Sequence, residues 1–527
     1  MKKKNTLIPL LLLGGALFAS PMAVNGQSLP ASVKMTTSTP KGSTLTFIVD
    51  QAFGGFAVDW GDGVQVKYET TNDALLTITG EVKGADITIY GPSRWSTLIC
   101  SGCGLTSLDL SQSKQLRSLY CQNNELETLN LKGLSDLTDL DCSDNKLKGI
   151  DYTIALNPAY DLKNIECYNV SGNQLSGQGG TFQMGTASTN AASVSYLDIS
   201  DNQFTKANLY APNAVYVNAG GNGLGYADLS YCTKAQSIVL DNNKLSLSNT
   251  NLFSFRLPNS NALQQLVLDK NEGVEVLDLS KSSSLTDLSI KNCNISSLKL
   301  YAGLSFAVFD ISGNNLGFDI LPDENRAPKY IQYSRASRYD ISSAPGIAKT
   351  DEGIAYIPVC PSYEDRNNKL YQIDLDNLRF NRNSTDIEWY SVADDGTATL
   401  LEAGRDKDYY ASSGKFSFFK PFKKVYAKLT IKRSVYKGFT YDTSFIGVGE
   451  ENAATGIEDV IYSGASVSGV NVEVVGGTIV LTSESAVALS VYSSDGKSVW
   501  SGTVNSTPTT VSLPSGVYIV AGKKVAL

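Results

Sequence analysis

Between positions 98 and 316 the chain alternates apolar and polar residues in short bursts, and the bursts are copies of one another. Aligned by phase they read "LICSGCGL", "LYCQNNEL", "LDCSDNKL", "IECYNVSGNQL", "LDISDNQF", "VNAGGNGL", "IVLDNNKL", "LVLDKNEG", "LSIKNCNI" and "FDISGNNL", returning every 20–29 residues. The shared template is L-x-(L/C)-x-x-N-x-L. Alternation over its first three residues predicts a short strand whose apolar pair points to one side. A fixed period of this length predicts stacked coils that bury one continuous column. Each coil carries a second extended segment, such as "LTSLDLS", "LETLNLK", "VEVLDLS" or "ISSLKLY", which leaves little room for regular helix. The expected architecture is mainly β, a solenoid. The longer copies, at "SGQGGTFQMGTASTNAA" and "SLSNTNLFSFRLPNSNA", predict loop insertions projecting from one rim.

Two columns run through the copies. Cys100, Cys121 and Cys142 are each 21 residues apart, a spacing set by the repeat, so they are expected as small apolar core fillers and not as a bridge or a metal set. Asn124, Asn145, Asn173, Asn202, Asn222, Asn243, Asn271 and Asn314 form the second column, where a buried amide can satisfy backbone groups left open at each turn. Cys103 and Cys293 stand in that column as weaker donors. With these two ladders in place, residues 93–322 resemble the leucine-rich repeat family, and the cysteine ladder resembles its internalin-J-type bacterial surface subgroup. The fold class read from the whole chain is a leucine-rich repeat solenoid flanked by β-sandwich domains.

Since the ladders build scaffold, recognition must lie in the polar positions flanking the inward strand residues. Three such columns run along the concave sheet, with eight acids against a single base, Lys291, and with tyrosines in the N-terminal half. In the fourth copy, Ile165 and Cys167 read as the inward pair, which places Glu166 between them and Tyr168 just beyond. The candidate contacts are therefore Tyr120, Asp139, Asp141, Glu166, Tyr168, Tyr196, Asp198 and Tyr216. Tyrosines would supply rigid anchoring area, and the acids would select a basic or cation-bridged partner. The plain alternative is a solvated sheet face.

The flanks differ in pattern. Residues 27–92 are strand-like with glycine turns, and "FAVDWGDGVQVKY" resembles the W-G-D-G turn of polycystic-kidney-disease-type β-sandwich modules. Asp59 and Asp62 suit a tight turn and are also the candidates for Ca²⁺. Residues 323–450 show short alternating runs. Trp389, the Asp394-Asp395-Gly396 turn and Tyr426 resemble an immunoglobulin-like sandwich without its disulfide, because Cys360 stands alone there. The lysine-rich run from 415 to 437 reads as a solvated face. Residues 451–527 hold "LSVYSSDGKSVWSGTV" and "VSLPSGVYIVAGKKVAL", which resemble the C-terminal sorting domain of the Bacteroidetes type IX secretion system. Leu513, Gly516, Val517, Tyr518, Ile519, Val520 and Lys524 carry the match, with Val491, Tyr492 and Gly496 in the upstream motif. The resemblance implies export across the outer membrane, removal of the domain within or near "GEENAATGIEDV", and attachment to the cell surface.

The N-terminus changes the compartment. "MKKKN", the apolar run at 7–18 and the small residues after it form a signal peptide over 1–26, and no other stretch is long and apolar enough to span a membrane. Composition then removes whole classes of chemistry. There is no histidine, which excludes Ser-His-Asp and Cys-His nucleophile systems and histidine-liganded metals. The net charge of −8 argues against nucleic acid. The expectation is a non-catalytic cell-surface adhesin or binding protein, without cofactor, whose partner is a protein or glycoprotein on a host or neighbouring cell. The alternatives are capture of a glycan or haem-protein nutrient, or a glycan-active enzyme working with paired carboxylates.

Overall fold

The protein is described by a computed structural model. The structure describes residues 17–18, 22–23 and 30–526, except 51–55, 69–74, 92–95, 151–163, 187–190, 249–253, 350–352, 354, 382, 450–469, 476–477, 494–497, 514–516 and 521–522. Most of the expected signal peptide and of the linker at 449–460 thus lie outside the described residues. Two compact units divide the chain, Met1–Ala336 and Ser337–Leu527. Among the described residues no helix is long and apolar enough to cross a membrane, and helical structure is limited to short 3-10 turns such as Phe318–Ile320.

The first unit is built on one long parallel sheet. Three-residue strands stack in register from Thr97–Ile99 through Ser118–Tyr120, Asp139–Asp141, Cys167–Asn169, Tyr196–Asp198, Tyr216–Asn218, Ser237–Val239, Gln265–Val267 and Asp287–Ser289 to Val308–Asp310. Their middle residues, Leu98, Leu119, Leu140, Leu197, Val217 and their successors, are buried, as are Cys100, Cys121 and Cys142 behind them. All three thiols are free, and burial pushes their pKa values well above the ordinary thiol range. The opposite side of each coil pairs only locally, as in Thr181–Met184 with Lys206–Leu209 or Val276–Leu279 with Ser297–Leu300. That is the mainly β solenoid expected from the pattern.

Each asparagine of the ladder ties three strands' worth of backbone together. Asn145 Nδ2 donates to the Cys121 carbonyl (3.0 Å) and the Cys142 carbonyl (3.1 Å), while its Oδ1 accepts from the Leu126 N–H at 3.0 Å. Asn124 and Asn173 repeat the arrangement one coil before and after. Where Cys293 replaces asparagine, its Sγ donates to the Leu268 carbonyl at 3.1 Å, and Cys103 Sγ donates to Thr46 at 3.2 Å. The residue just before the ladder position has positive φ in coil after coil: Gly102, Asn123, Asp144, Gly172, Asp201, Gly221, Asn242, Lys270, Asn292 and Gly313. Gly, Asn and Asp adopt that conformation at low cost, which is why nine of these ten turns carry one of them, with Lys270 the exception.

The solenoid's two ends are closed differently. At the start, Thr44–Val49 pairs antiparallel with both Leu76–Glu81 and Thr97–Ile99, so one sheet of the N-terminal sandwich runs straight into the concave sheet. The other sandwich sheet does the same on the far side, where Ala31–Thr37 pairs with Leu105–Asp109. Phe47, Phe56, Trp60 and Tyr68 fill the space between, with Trp60 Nε1 donating to the Tyr68 hydroxyl at 3.2 Å. Gly80 lies under that indole, where a Cβ would fall 2.1 Å from a ring carbon. At the other end the stacking continues beyond 322. Tyr330–Gln332 adds a further parallel strand, Ile331 opposite Phe309, and the Tyr333 hydroxyl donates to the Leu316 carbonyl at 2.9 Å. This coil carries tyrosine and Ala336 where the template has Leu or Cys and Asn, which hid it from the pattern.

In the second unit, Trp389 is fully buried and packs edge-on against Phe418 and Phe416, at 4.9 and 5.7 Å between ring centroids. Those rings lie on Lys415–Phe418, in a small sheet with Ile373–Asp374 and Tyr409–Ser412, while Trp389 lies on Thr385–Val392 in the larger sheet. Tyr426 stacks on Tyr390 across the strand pair at 5.2 Å and takes the Arg338 guanidinium on its ring at 4.2 Å. Cys360 is a buried free thiol.

Candidate functional site

The concave sheet presents three outward columns. In the central one the structure places Ile99, Tyr120, Asp141, Asn169, Asp198, Asn218, Val239, Val267, Ser289, Asp310 and Gln332. The fourth strand corrects two expectations. Tyr168, not Cys167, pairs with Leu140 and Leu197. Its side chain therefore points inward, is 1% exposed and packs 6.3 Å from the Phe182 ring, so it is no concave contact. Glu166 lies just before the strand, exposed, with its carbonyl accepting from the Ser195 and Tyr196 N–H groups. The physical reason is the invariant five-residue offset between the inward residue and the ladder asparagine, which counts back from Asn173 to Tyr168 and Val170. The outward pair in this coil is Cys167 and Asn169.

The central acids are built into the coil. Asp141 is 2% exposed and its Oδ1 accepts from the Ser143 N–H (3.0 Å) and hydroxyl (2.6 Å). Asp198 does the same with Ser200, and Asp310 with Ser312. Asn169 holds Ser171 identically, at 3.1 and 2.8 Å, so the motif needs the side-chain oxygen and not the charge. Asp198 Oδ2 also accepts from Asn218 Nδ2 at 3.1 Å. Burial raises the pKa of Asp141, Asp198 and Asp241 above the ordinary carboxylate value.

The tyrosines are half-buried and lean together. Tyr196 and Tyr216, on neighbouring strands of the first outward column, stack at 4.7 Å with 10° between their planes. Burial, and then the Asp139 charge, push Tyr120 up to about 12. Burial and Asp198 raise Tyr216 to about 12 and Tyr196 further still. Asp139 is half-buried, accepting from Thr138 Oγ1 at 2.7 Å and from Ser118 Oγ at 3.2 Å. Toward the C-terminal end Lys291 Nζ sits 3.1 Å from Asp269 and 3.8 Å from Asp310.

The stack, the asparagine ladder and the parallel concave sheet define the fold. It is a leucine-rich repeat solenoid. Solved structures similar to it include YopM of Yersinia pestis, at 22% identity and TM-score 0.36 over 47% of this chain and 63% of that one. The chain thus spans less than two thirds of YopM. The functional domain of InlJ from Listeria monocytogenes, which includes a cysteine ladder, matches at 14% identity and TM-score 0.28 over 69% of this chain and 93% of its own. A leucine-rich repeat protein of Leptospira interrogans matches at 16% identity and TM-score 0.24, over 42% and 69% of the two chains. These likenesses concern the fold alone. No protein-family model matches the chain, and no curated protein sequence does.

The other candidate residues have structural partners in the leucine-rich repeat protein. Asp59 Oδ1 accepts from the N–H groups of Gly61, Asp62 and Gly63, at 2.9–3.1 Å, and Asp62 pairs with Lys83 at 2.7 Å. Both carboxylates close the W-G-D-G turn, where Gly61 has φ +101° and its Cβ would strike Gly84 backbone at 2.5 Å. In the C-terminal segment the two sorting-like motifs lie on paired strands: Val491 faces Val520, Tyr492 faces Ile519, and Ile519 in turn faces Lys524. Tyr518 and Val520 are in the core, with Val517 on the same strand and Leu513 packed against that core. Gly496, Pro514 and Gly516 lie outside the described residues.

Proposed function

We propose that the protein is a non-catalytic cell-surface binding protein that recognises a protein or glycoprotein through the concave face of its solenoid. One observation carries this reading. The residues that hold the coils together face inward or cap their own turns, whereas Tyr120, Asp139, Tyr196 and Tyr216 stand on the concave face as half-buried, partly exposed side chains. Large aromatic area on a rigid sheet is what an anchor needs, since little side-chain entropy is lost on binding. Catalysis by paired carboxylates is disfavoured by the same geometry, because the Asp141 and Asp198 oxygens are committed to serine and asparagine donors. The signal-peptide-like N-terminus and the sorting-like C-terminal motifs support a site of action outside the outer membrane, with the last domain as the address.

The test is an array of extracellular-matrix and host-surface glycoproteins probed with the exported chain and with Tyr196→Ala/Tyr216→Ala. Loss of at least tenfold in affinity for the captured protein supports the concave face, and an unchanged affinity overturns it.

A further inference from the structure

The concave face is uneven along its length, and its N-terminal half is shaped for a particular chemical group. Four consecutive strands are involved. Tyr120 ends the first, and Tyr196 begins the fourth. The two strands between them, Asp139–Asp141 and Cys167–Asn169, turn only short side chains outward. With strands about 4.8 Å apart, the two tyrosines stand as walls on either side of a floor two strands wide. Asp141 and Asn169 point out of the sheet on that floor and are nevertheless only 2% and 8% exposed, so the flanking side chains cover them. Both tyrosines feel the same floor carboxylate: after burial, the largest cause, the Asp141 charge contributes to the raised pKa of Tyr120 and of Tyr196.

Charge decides what such a slot can hold. Among the described residues no lysine or arginine pairs with Asp139, Asp141 or Asp198, although ion pairs occur elsewhere on the same coils and toward the C-terminal half. At the C-terminal half the face supplies its own cation, since Lys291 sits between Asp269 and Asp310 of neighbouring coils. The N-terminal half has the carboxylates without the base. A carboxylate held out of water, as burial of Asp141 indicates, gains when a cation arrives. Tyrosine faces attract cations through the ring quadrupole.

We infer that the slot between Tyr120 and Tyr196, floored by Asp139, Asp141, Cys167 and Asn169, takes a lysine or arginine side chain of a protein partner. This rests on the concave-face reading and names the chemistry of its anchor. Neutral glycans and acidic proteins do not satisfy the floor.

The experiment measures binding of a hexa-arginine peptide and of an uncharged Gly-Ser hexapeptide to the exported chain at 150 mM salt, by calorimetry or fluorescence anisotropy. The expected result is binding of hexa-arginine alone, weakened about fivefold or more by each of Tyr120→Leu, Tyr196→Leu and Asp139→Asn. Glu127→Gln removes one exposed carboxylate that pairs with Lys148 and should change affinity by less than twofold. Leucine keeps most of the buried volume, and an unshifted thermal transition shows that the fold is kept. Equal weakening by Glu127→Gln, or no effect of the tyrosine variants, overturns the slot. If hexa-arginine does not bind while an array partner is still lost in Tyr196→Ala/Tyr216→Ala, the cation anchor is wrong and the concave face stands. If array binding survives those changes as well, both readings fall.

Discussion

At the scale of single residues, similar side chains do different work according to where the coil puts them. Asn145 is irreplaceable because its buried amide meets the Cys121 and Cys142 carbonyls and the Leu126 N–H. Asn145→Ala leaves all three open and should cost about 3 kcal/mol of solenoid stability, seen as a lower denaturant midpoint. Asp141 is the opposite case. Its serine cap needs an oxygen and not a charge, as Asn169 shows one coil on. Burial raises the Asp141 pKa, so between the ordinary carboxylate value and the raised one the folded chain holds the extra proton. Stability from this group is therefore present at acid pH and lost as pH rises through the raised pKa. Asp141→Asn should leave the thermal midpoint equal or higher at pH 7, with that advantage gone near pH 3.5. A midpoint lowered at pH 7 would show that the carboxylate itself supports the fold.

At the scale of the element, the repeat is one short strand, one turn and one amide, and the turn carries a backbone demand of its own. Asn242 has φ +53°. Asn242→Gly should be close to neutral, and Asn242→Val should cost about 1–2 kcal/mol because a β-branched residue resists the left-handed region. Hydrogen exchange at Leu224 and Leu245, whose N–H groups bond to the ladder asparagines Asn243 and Asn271, would report the loss locally. The coil also shows how much was legible. The Leu–Asn offset is a property of local geometry, so eight asparagines and three cysteines were placed correctly from spacing alone. Where an insertion lengthened the fourth copy, counting forward from Ile165 misassigned Tyr168 and Glu166. Counting back from Asn173 would have found the right strand.

At the scale of the whole molecule, the solenoid's open N-terminal end is closed by a sandwich that shares both of its sheets. Edge strands left bare recruit other edges, so the cap is a solubility device as well as a fold. Deleting residues 30–91 exposes Thr97–Ile99 and Leu105–Asp109. The shortened chain should run as large aggregates on gel filtration, whereas the full chain elutes as a discrete species. A monomeric, folded deletion product would show that the sandwich is an appended module. The concave face is a property of this same scale. Tyr120, Asp139 and Tyr196 are separated by 19 and 57 positions in the chain and share one face only because four consecutive coils bring their strands side by side.

Sequence by itself determined the repeat, its mainly β character, the cysteine and asparagine ladders and the polar columns, because each depends on a periodicity local to one coil. Tertiary structure decided what those columns contain. Burial is set by neighbouring coils and not by residue type, so Asp141 and Asp198, outward by pattern, became capped and covered, and Cys167 came to the surface between Asp139 and Tyr196. It decided too that the N-terminal sandwich continues the solenoid's sheets, since strand pairing across sixty residues leaves no trace in either segment's own alternation.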